Sequence, residues 1–168
     1  IAITFNGEIY NFPALKISLI DLGYVFSSNT DTEVIIYLYA EFGLDCLTML
    51  DGIFALAIFD KEKNNVIIAR DGLGVKPLYY YHDKSSFVFS SEIKAIEKLV
   101  LNKRLTLDKS NLNRYLTFQW CPGEGTPFNE IKKHNPGEAL VIKNGKVIDR
   151  KIFFQLPIVG PTKKGGKV

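Results

Sequence analysis

Apolar and polar positions along the chain change period several times, and each change marks an element. Ile1-Ala2-Ile3-Thr4-Phe5 reads as a strand that stops at a turn, Asn6-Gly7-Glu8, with a helix signal close behind. Asn11 is the expected cap of that helix; Pro13 falls in its first turn, Leu15, Leu19 and Leu22 share a face, and Gly23 stops it. Thr30-Asp31-Thr32-Glu33 has the form of a capping box, in which the Thr30 hydroxyl and the Glu33 carboxylate each satisfy an orphan N–H. The helix it opens carries Val34, Ile35, Leu38 and Phe42 and ends at Gly43. The period then shifts, and residues 53–59 are apolar without interruption, which predicts a strand covered on both faces. A polar turn from Asp60 to Asn65 returns the chain as a hairpin partner, Val66-Ile67-Ile68-Ala69. Strands follow at 77–81 and 87–89, a short helix at 91–99 and another at 111–118. A last hairpin, 139–143 with 146–153, turns at Asn144-Gly145.

Hairpins demand antiparallel pairing, so the pattern excludes a doubly wound parallel sheet and predicts a layered α+β fold. A chain of 168 residues that is 46% hydrophobic can bury the core of one domain. Its ends are unusual. It opens in mid-strand at Ile1, and from Gly160-Pro161 to Val168 it has the composition of a linker. The expected organisation is a domain over 1–156 followed by a linker over 157–168, both belonging to something longer.

Charge and rare residues narrow the function classes. A net charge of +3 with no basic helix or aromatic-interleaved stripe argues against a nucleic-acid partner. No apolar run approaches the ~20 residues of a membrane-spanning helix. Cys46 and Cys121 lie far apart and read as free thiols in a reducing compartment, the cytoplasm. His82 and His134 stand alone in polar settings, and no metal-ligand spacing is present.

Candidate chemistry concentrates at two places. At Asn6-Gly7 the Asn6 carboxamide and the Gly7 N–H are neighbouring donors, the arrangement an oxyanion hole requires, and Glu8 sets a carboxylate beside them. Asp31 fits a helix first turn on dipole grounds alone, but a carboxylate beside a strand end can also hold a substrate ammonium. The run from Arg70 to Pro77 reads as a structural turn with an internal Arg70–Asp71 pair, because no helix start or GK[ST] follows to make a phosphate cradle. Tyr79-Tyr80-Tyr81 reads as alternate core and surface packing, and Ser90-Ser91-Glu92 as a helix cap.

Five motifs occur in order: Asn6-Gly7-Glu8-Ile9-Tyr10-Asn11-Phe12, residues 30–35, residues 52–60, residues 69–80 and Ser90-Ser91-Glu92-Ile93-Lys94-Ala95. In that order they closely resemble the glutaminase domain of glutamine-dependent asparagine synthetases, a class II glutamine amidotransferase of the N-terminal-nucleophile hydrolase superfamily. The resemblance extends through 115–118, 131–133 and Pro136-Gly137 to about Leu156. It implies an αββα sandwich, here incomplete at its N-terminus. It implies that Asn6 and Gly7 form the oxyanion hole, that Glu8 lines the glutamine pocket and that Asp31 binds the glutamine α-ammonium. It gives Arg70-Asp71 no catalytic role.

The departures from the family are as specific. Its nucleophile is an N-terminal cysteine whose own α-amine acts as base, whereas this chain begins with Ile1, and neither Cys46 nor Cys121 carries a free α-amine. The arginine that grips the glutamine carboxylate, and the Ser-Gly-Gly-Leu-Asp-Ser loop of the ATP-using half, are not in these residues. The chain is therefore expected to be inactive alone, with no cofactor of its own. ATP and Mg²⁺ belong to the implied synthetase domain of a parent chain, which would use ammonia from glutamine to amidate aspartate. A homodimer is among the assemblies the resemblance allows. Two other readings stay open: a non-catalytic glutaminase-like binding or scaffold domain, and an amidotransferase serving a different acceptor.

Overall fold

The computed structural model describes residues 1–84, 86–101 and 103–157; the expected linker from 158 onward lies outside the described residues. In chain order the elements are β1 (Ala2–Ile9), α1 (Phe12–Asp21), α2 (Asp31–Phe42), a 3-10 helix (Gly43–Met49), β2 (Gly52–Asp60), β3 (Asn65–Arg70), β4 (Tyr79–His82), β5 (Phe87–Ser90), α3 (Ile93–Leu99), α4 (Lys109–Phe118), β6 (Ile131–Lys133), β7 (Glu138–Lys143) and β8 (Lys146–Ile152). They build two antiparallel sheets, one in the order β1-β2-β3-β7-β8 and one in the order β5-β4-β6.

The apolar run in β2 explains the layering. Phe54, Leu56 and Ile58 face a core shared with Leu15 and Leu19 of α1 and Val34, Ile35 and Leu38 of α2. The alternate residues, Ala55 and Ala57, face the second sheet, where Ile68, Leu78, Tyr80, Leu140 and Ile142 fill the space. Two-sided burial thus comes with a division of size, and the small side chains let the sheets approach. On the far side of the second sheet, Ile96 of α3 and Val100 pack with Tyr81 and Ile131. The order of layers is helix, sheet, sheet, helix, so the expected αββα arrangement is observed. The last hairpin also matches its turn signal: Asn144 and Gly145 both take positive φ, 51° and 72°.

Several local expectations are corrected. Strand β1 does not stop at Asn6; it stays in register with β2 from Ala2 opposite Phe59 to Ile9 opposite Gly52. Gly7 is in mid-strand and supplies no left-handed turn. Glycine is required there because a Cβ would drive into the Ile53 carbonyl oxygen and lie 2.7 Å from the Phe54 Cα. Asn11 makes no cap bond to α1. Its carboxamide instead donates to Met49 O (2.9 Å) and accepts from Asp51 N–H (3.0 Å), tying the helix start to the segment before β2. At α2, Thr30 Oγ1 accepts from Glu33 N–H at 3.4 Å as a capping box requires, but the Glu33 carboxylate turns to the N–H groups of Ser27 and Ser28, not to that of Thr30.

Arg70 and Asp71 are buried, yet their side chains do not form the expected internal pair. The Arg70 guanidinium donates to the carbonyls of Gly74 (2.5 Å), Lys76 (2.6 Å) and His134 (2.8 Å). The Asp71 carboxylate accepts the N–H groups of Phe54, Leu73, Val75 and Lys76. Arg70 holds loop carbonyls, and Asp71 ties three loop N–H groups to the N–H of Phe54 in β2. His134 does not stand alone: it is completely buried among charged groups, with Nε2 2.9 Å from Glu138 O, and burial pushes its pKa down to about 4.

Candidate functional site

The site begins with the hydrogen-bond parity of β1. Opposite Gly7 stands Phe54, and both main-chain groups of Phe54 are engaged by Asp71: its C=O accepts from Asp71 N–H at 2.8 Å, and its N–H donates to Asp71 Oδ2 at 3.3 Å. Phe54 therefore directs its polar backbone toward β3 and leaves Gly7 unmatched. Two residues further, the Ile9 N–H also points away from β2, and it donates to Asp31 Oδ2 at 3.1 Å. Alternate N–H groups of a strand share a side. The N–H of Gly7 thus projects from the side of β1 away from β2, where among the described residues no strand pairs and where the Asp31 carboxylate sits.

Side-chain parity places the rest. Ile9 faces the helices, while Thr4 and Asn6 face the second sheet. Asn6 borders a cleft of about 250 Å³ between the sheets, together with Thr4, Leu78, Phe89, Ser90 and Ser91. Asn6 and Glu8 are exposed, and Gly7 and Asp31 are half-buried. One strand edge therefore carries a carboxamide, an outward N–H and a carboxylate, with Asp31 adding a second carboxylate beyond the strand end. Asn6, Gly7 and Glu8 are consecutive in β1, and Asp31, at the start of α2, reaches that strand at Ile9, the residue after Glu8.

Thr4, Ser90 and Ser91 were not foreseen as neighbours of Asn6. Ser90 Oγ accepts from Glu92 N–H at 3.2 Å ahead of α3, but Glu92 stands at the N-cap and makes no side-chain cap bond, so the expected helix cap does not form. The cleft gives both serines a second setting that arises only from packing one sheet on the other.

The thiols have no part in this edge. Cys46 is fully buried in the helix-side core and burial pushes its pKa up to about 12; Cys121 is also buried, with Sγ 3.4 Å from Asn111 O. Thiols so placed are poor nucleophiles. Among the described residues, no group of His, Cys, Asp and Glu could hold a metal ion, and no helix is long and apolar enough to cross a membrane.

Comparison with known proteins identifies the family. The family described as "Glutamine amidotransferase domain" matches residues 1–153. Asparagine synthetase [glutamine-hydrolyzing] 1 of Bacillus subtilis is 35% identical over 153 residues, covering 91% of this chain and 24% of that protein. Asparagine synthetase [glutamine-hydrolyzing] 3 of the same organism is 40% identical over 140 residues, covering 82% of this chain and 22% of that protein. The chain thus spans about a quarter of the length of these relatives. Among solved structures, the glutamine phosphoribosylpyrophosphate amidotransferase of B. subtilis superposes with a TM-score of 0.64 at 24% identity, covering 90% of this chain and 29% of that one. That likeness speaks for the fold.

Proposed function

Because this chain belongs to the glutamine amidotransferase domain family, we propose that it forms the oxyanion-hole and amine-binding side of a glutaminase site within an asparagine synthetase-type enzyme. The observation that carries the reading is the shared edge: Gly7 N–H and the Asp31 carboxylate lie on one side of β1, and Asn6, the residue before Gly7, borders the adjoining cleft between the sheets. Glutamine has an ammonium at one end and a carboxamide at the other. Asp31 holds the ammonium, which lays the side chain along the edge toward Asn6 and Gly7, and Glu8 lines the path.

When a nucleophile adds to the carboxamide carbon, the electron pair of the C=O bond moves onto oxygen. The Asn6 amide and the Gly7 N–H meet that developing charge. Fixed donors of this kind stabilise the transition state more than the ground state, and losing one costs about 3 kcal/mol of barrier. Collapse of the intermediate expels ammonia, which in the parent protein would amidate aspartate at the expense of ATP with Mg²⁺. The domain spans 1–156 in this reading. The nucleophile is neither of this chain's thiols, since both are buried away from the edge. By themselves these residues are expected to leave glutamine intact.

The test is Asn6→Ala in a protein that joins this chain to a synthetase domain. Glutamine-dependent synthesis should fall by about a hundredfold while ammonia-dependent synthesis persists. An equal loss of both activities would overturn the oxyanion assignment.

A further inference from the structure

Between the second sheet and the segment that follows α4, a pocket of about 380 Å³ opens. Its walls include Tyr79, Tyr115, Gln119, Trp120, Thr126 and Lys133. That volume lies in the range of small-molecule sites. Trp120 and Tyr115 are exposed, 56% and 48%.

Lys133 makes the pocket chemically specific. Its ammonium donates to Cys121 O at 2.5 Å and lies 5.1 Å from the centre of the Trp120 ring. An ammonium has three donors, so this contact leaves further protons facing the pocket. Lys63, Lys94, Lys103 and Lys151 all pair with carboxylates. Among the described residues, the Lys133 ammonium meets a neutral carbonyl and a ring. Burial lowers its pKa, and the charge that acts on it most is another cation, Arg70. A half-buried cation with no counter-charge is costly unless a ligand supplies one.

We propose that this pocket binds a small aromatic carboxylate, its anion on Lys133 and its ring against Trp120 and Tyr115. A single lysine suits one negative charge. Phosphate is the poorer match, because it carries more charge and Lys133 is the one charged residue among those that line the pocket. Stacking on exposed aromatic faces selects a flat body over an aliphatic one. The site shares no residue with the glutamine edge, so it stands independently of the proposed function.

Trp120 is the sole tryptophan of the chain, so its emission reports this pocket alone. The full chain is titrated with benzoate, with benzyl alcohol and with inorganic phosphate at constant ionic strength. The expected result is a saturable change with benzoate at least tenfold tighter than with either comparator, and lost in Lys133→Met. The proposal is overturned if benzoate gives no saturation, if benzyl alcohol or phosphate binds as well, or if a folded Lys133→Met responds as the parent does. The benzoate–benzyl alcohol comparison needs no variant, so a folding defect at Lys133 would not block the decision.

Discussion

Asp31 fastens the start of α2 to the end of β1, its Oδ2 accepting the Ile9 N–H at 3.1 Å. One carboxylate thereby serves the helix terminus, where the macrodipole favours it, and the strand edge, while its Oδ1 accepts the Thr32 hydroxyl at 3.4 Å and has a further lone pair for a ligand cation. Replacing it separates these roles. Asp31→Asn keeps the shape and an acceptor for Ile9 but removes the charge. In a glutaminase-competent protein KM for glutamine should rise about tenfold with kcat little changed, as steady-state kinetics would show. A fall confined to kcat would contradict ammonium binding by Asp31.

Gly7 has the opposite character: its role is to be small. A methyl group there meets the Ile53 carbonyl oxygen and the Phe54 backbone, neither of which can swing aside. Gly7→Ala should cost about 2 kcal/mol or more and lower the melting temperature by about 4–8 °C. Gly52→Ala, whose Cβ would run into the Glu8 carbonyl, should behave alike. Unchanged melting in both would show that the strands can part there without penalty.

Asp71 offers a third measurement. Its two oxygens accept four backbone N–H groups between them, from Phe54, Leu73, Val75 and Lys76. Asp71→Asn turns one acceptor into a donor that faces donors. A loss of about 2–3 kcal/mol is expected, with hydrogen exchange quickening first at Phe54, Val75 and Lys76. Because Phe54 lies opposite Gly7, the same variant should also lower glutaminase turnover in a competent protein. Full activity with reduced stability would show that β1 holds its parity unaided.

Stability should also depend on pH through His134. Burial holds its folded pKa at about 4, against 6.5 in the unfolded chain. Arg70, Arg150, Glu124 and Glu138 surround it. Between those values the unfolded state binds the proton and the folded state does not, so stability falls as pH drops from 6.5 toward 4 and levels off below. The loss is about 3 kcal/mol, measurable as a falling denaturation midpoint. His134→Gln should flatten that part of the profile.

What could be read from the sequence was what local pattern controls. The uninterrupted run in β2 showed a doubly covered strand, and Asn144-Gly145 showed its hairpin, because both signals are carried by adjacent residues. The end of β1 was misjudged because Asn6-Gly7 imitates a turn, although Ile3, Phe5 and Ile9 keep one parity straight through it. The β6 strand, three residues long, carries no periodicity to detect. Ser90 and Ser91 as neighbours of Asn6, and His134 beneath Tyr80, arise from packing across sheets, which no window along the chain can register. The partnership of Asp31 with Ile9 spans 22 positions and follows the same logic.

The outward N–H of Gly7 has one more consequence. A strand edge that can grip a carbonyl oxygen does not distinguish a substrate amide from the backbone of another polypeptide. Recognition and self-association therefore draw on the same row of donors in β1, and whatever strengthens one strengthens the other. Asp31 closes that row at Ile9 with a side chain in place of a strand. The anchor of the proposed amino-acid site is also a stop that keeps a neighbouring chain from zipping past the last residue of β1.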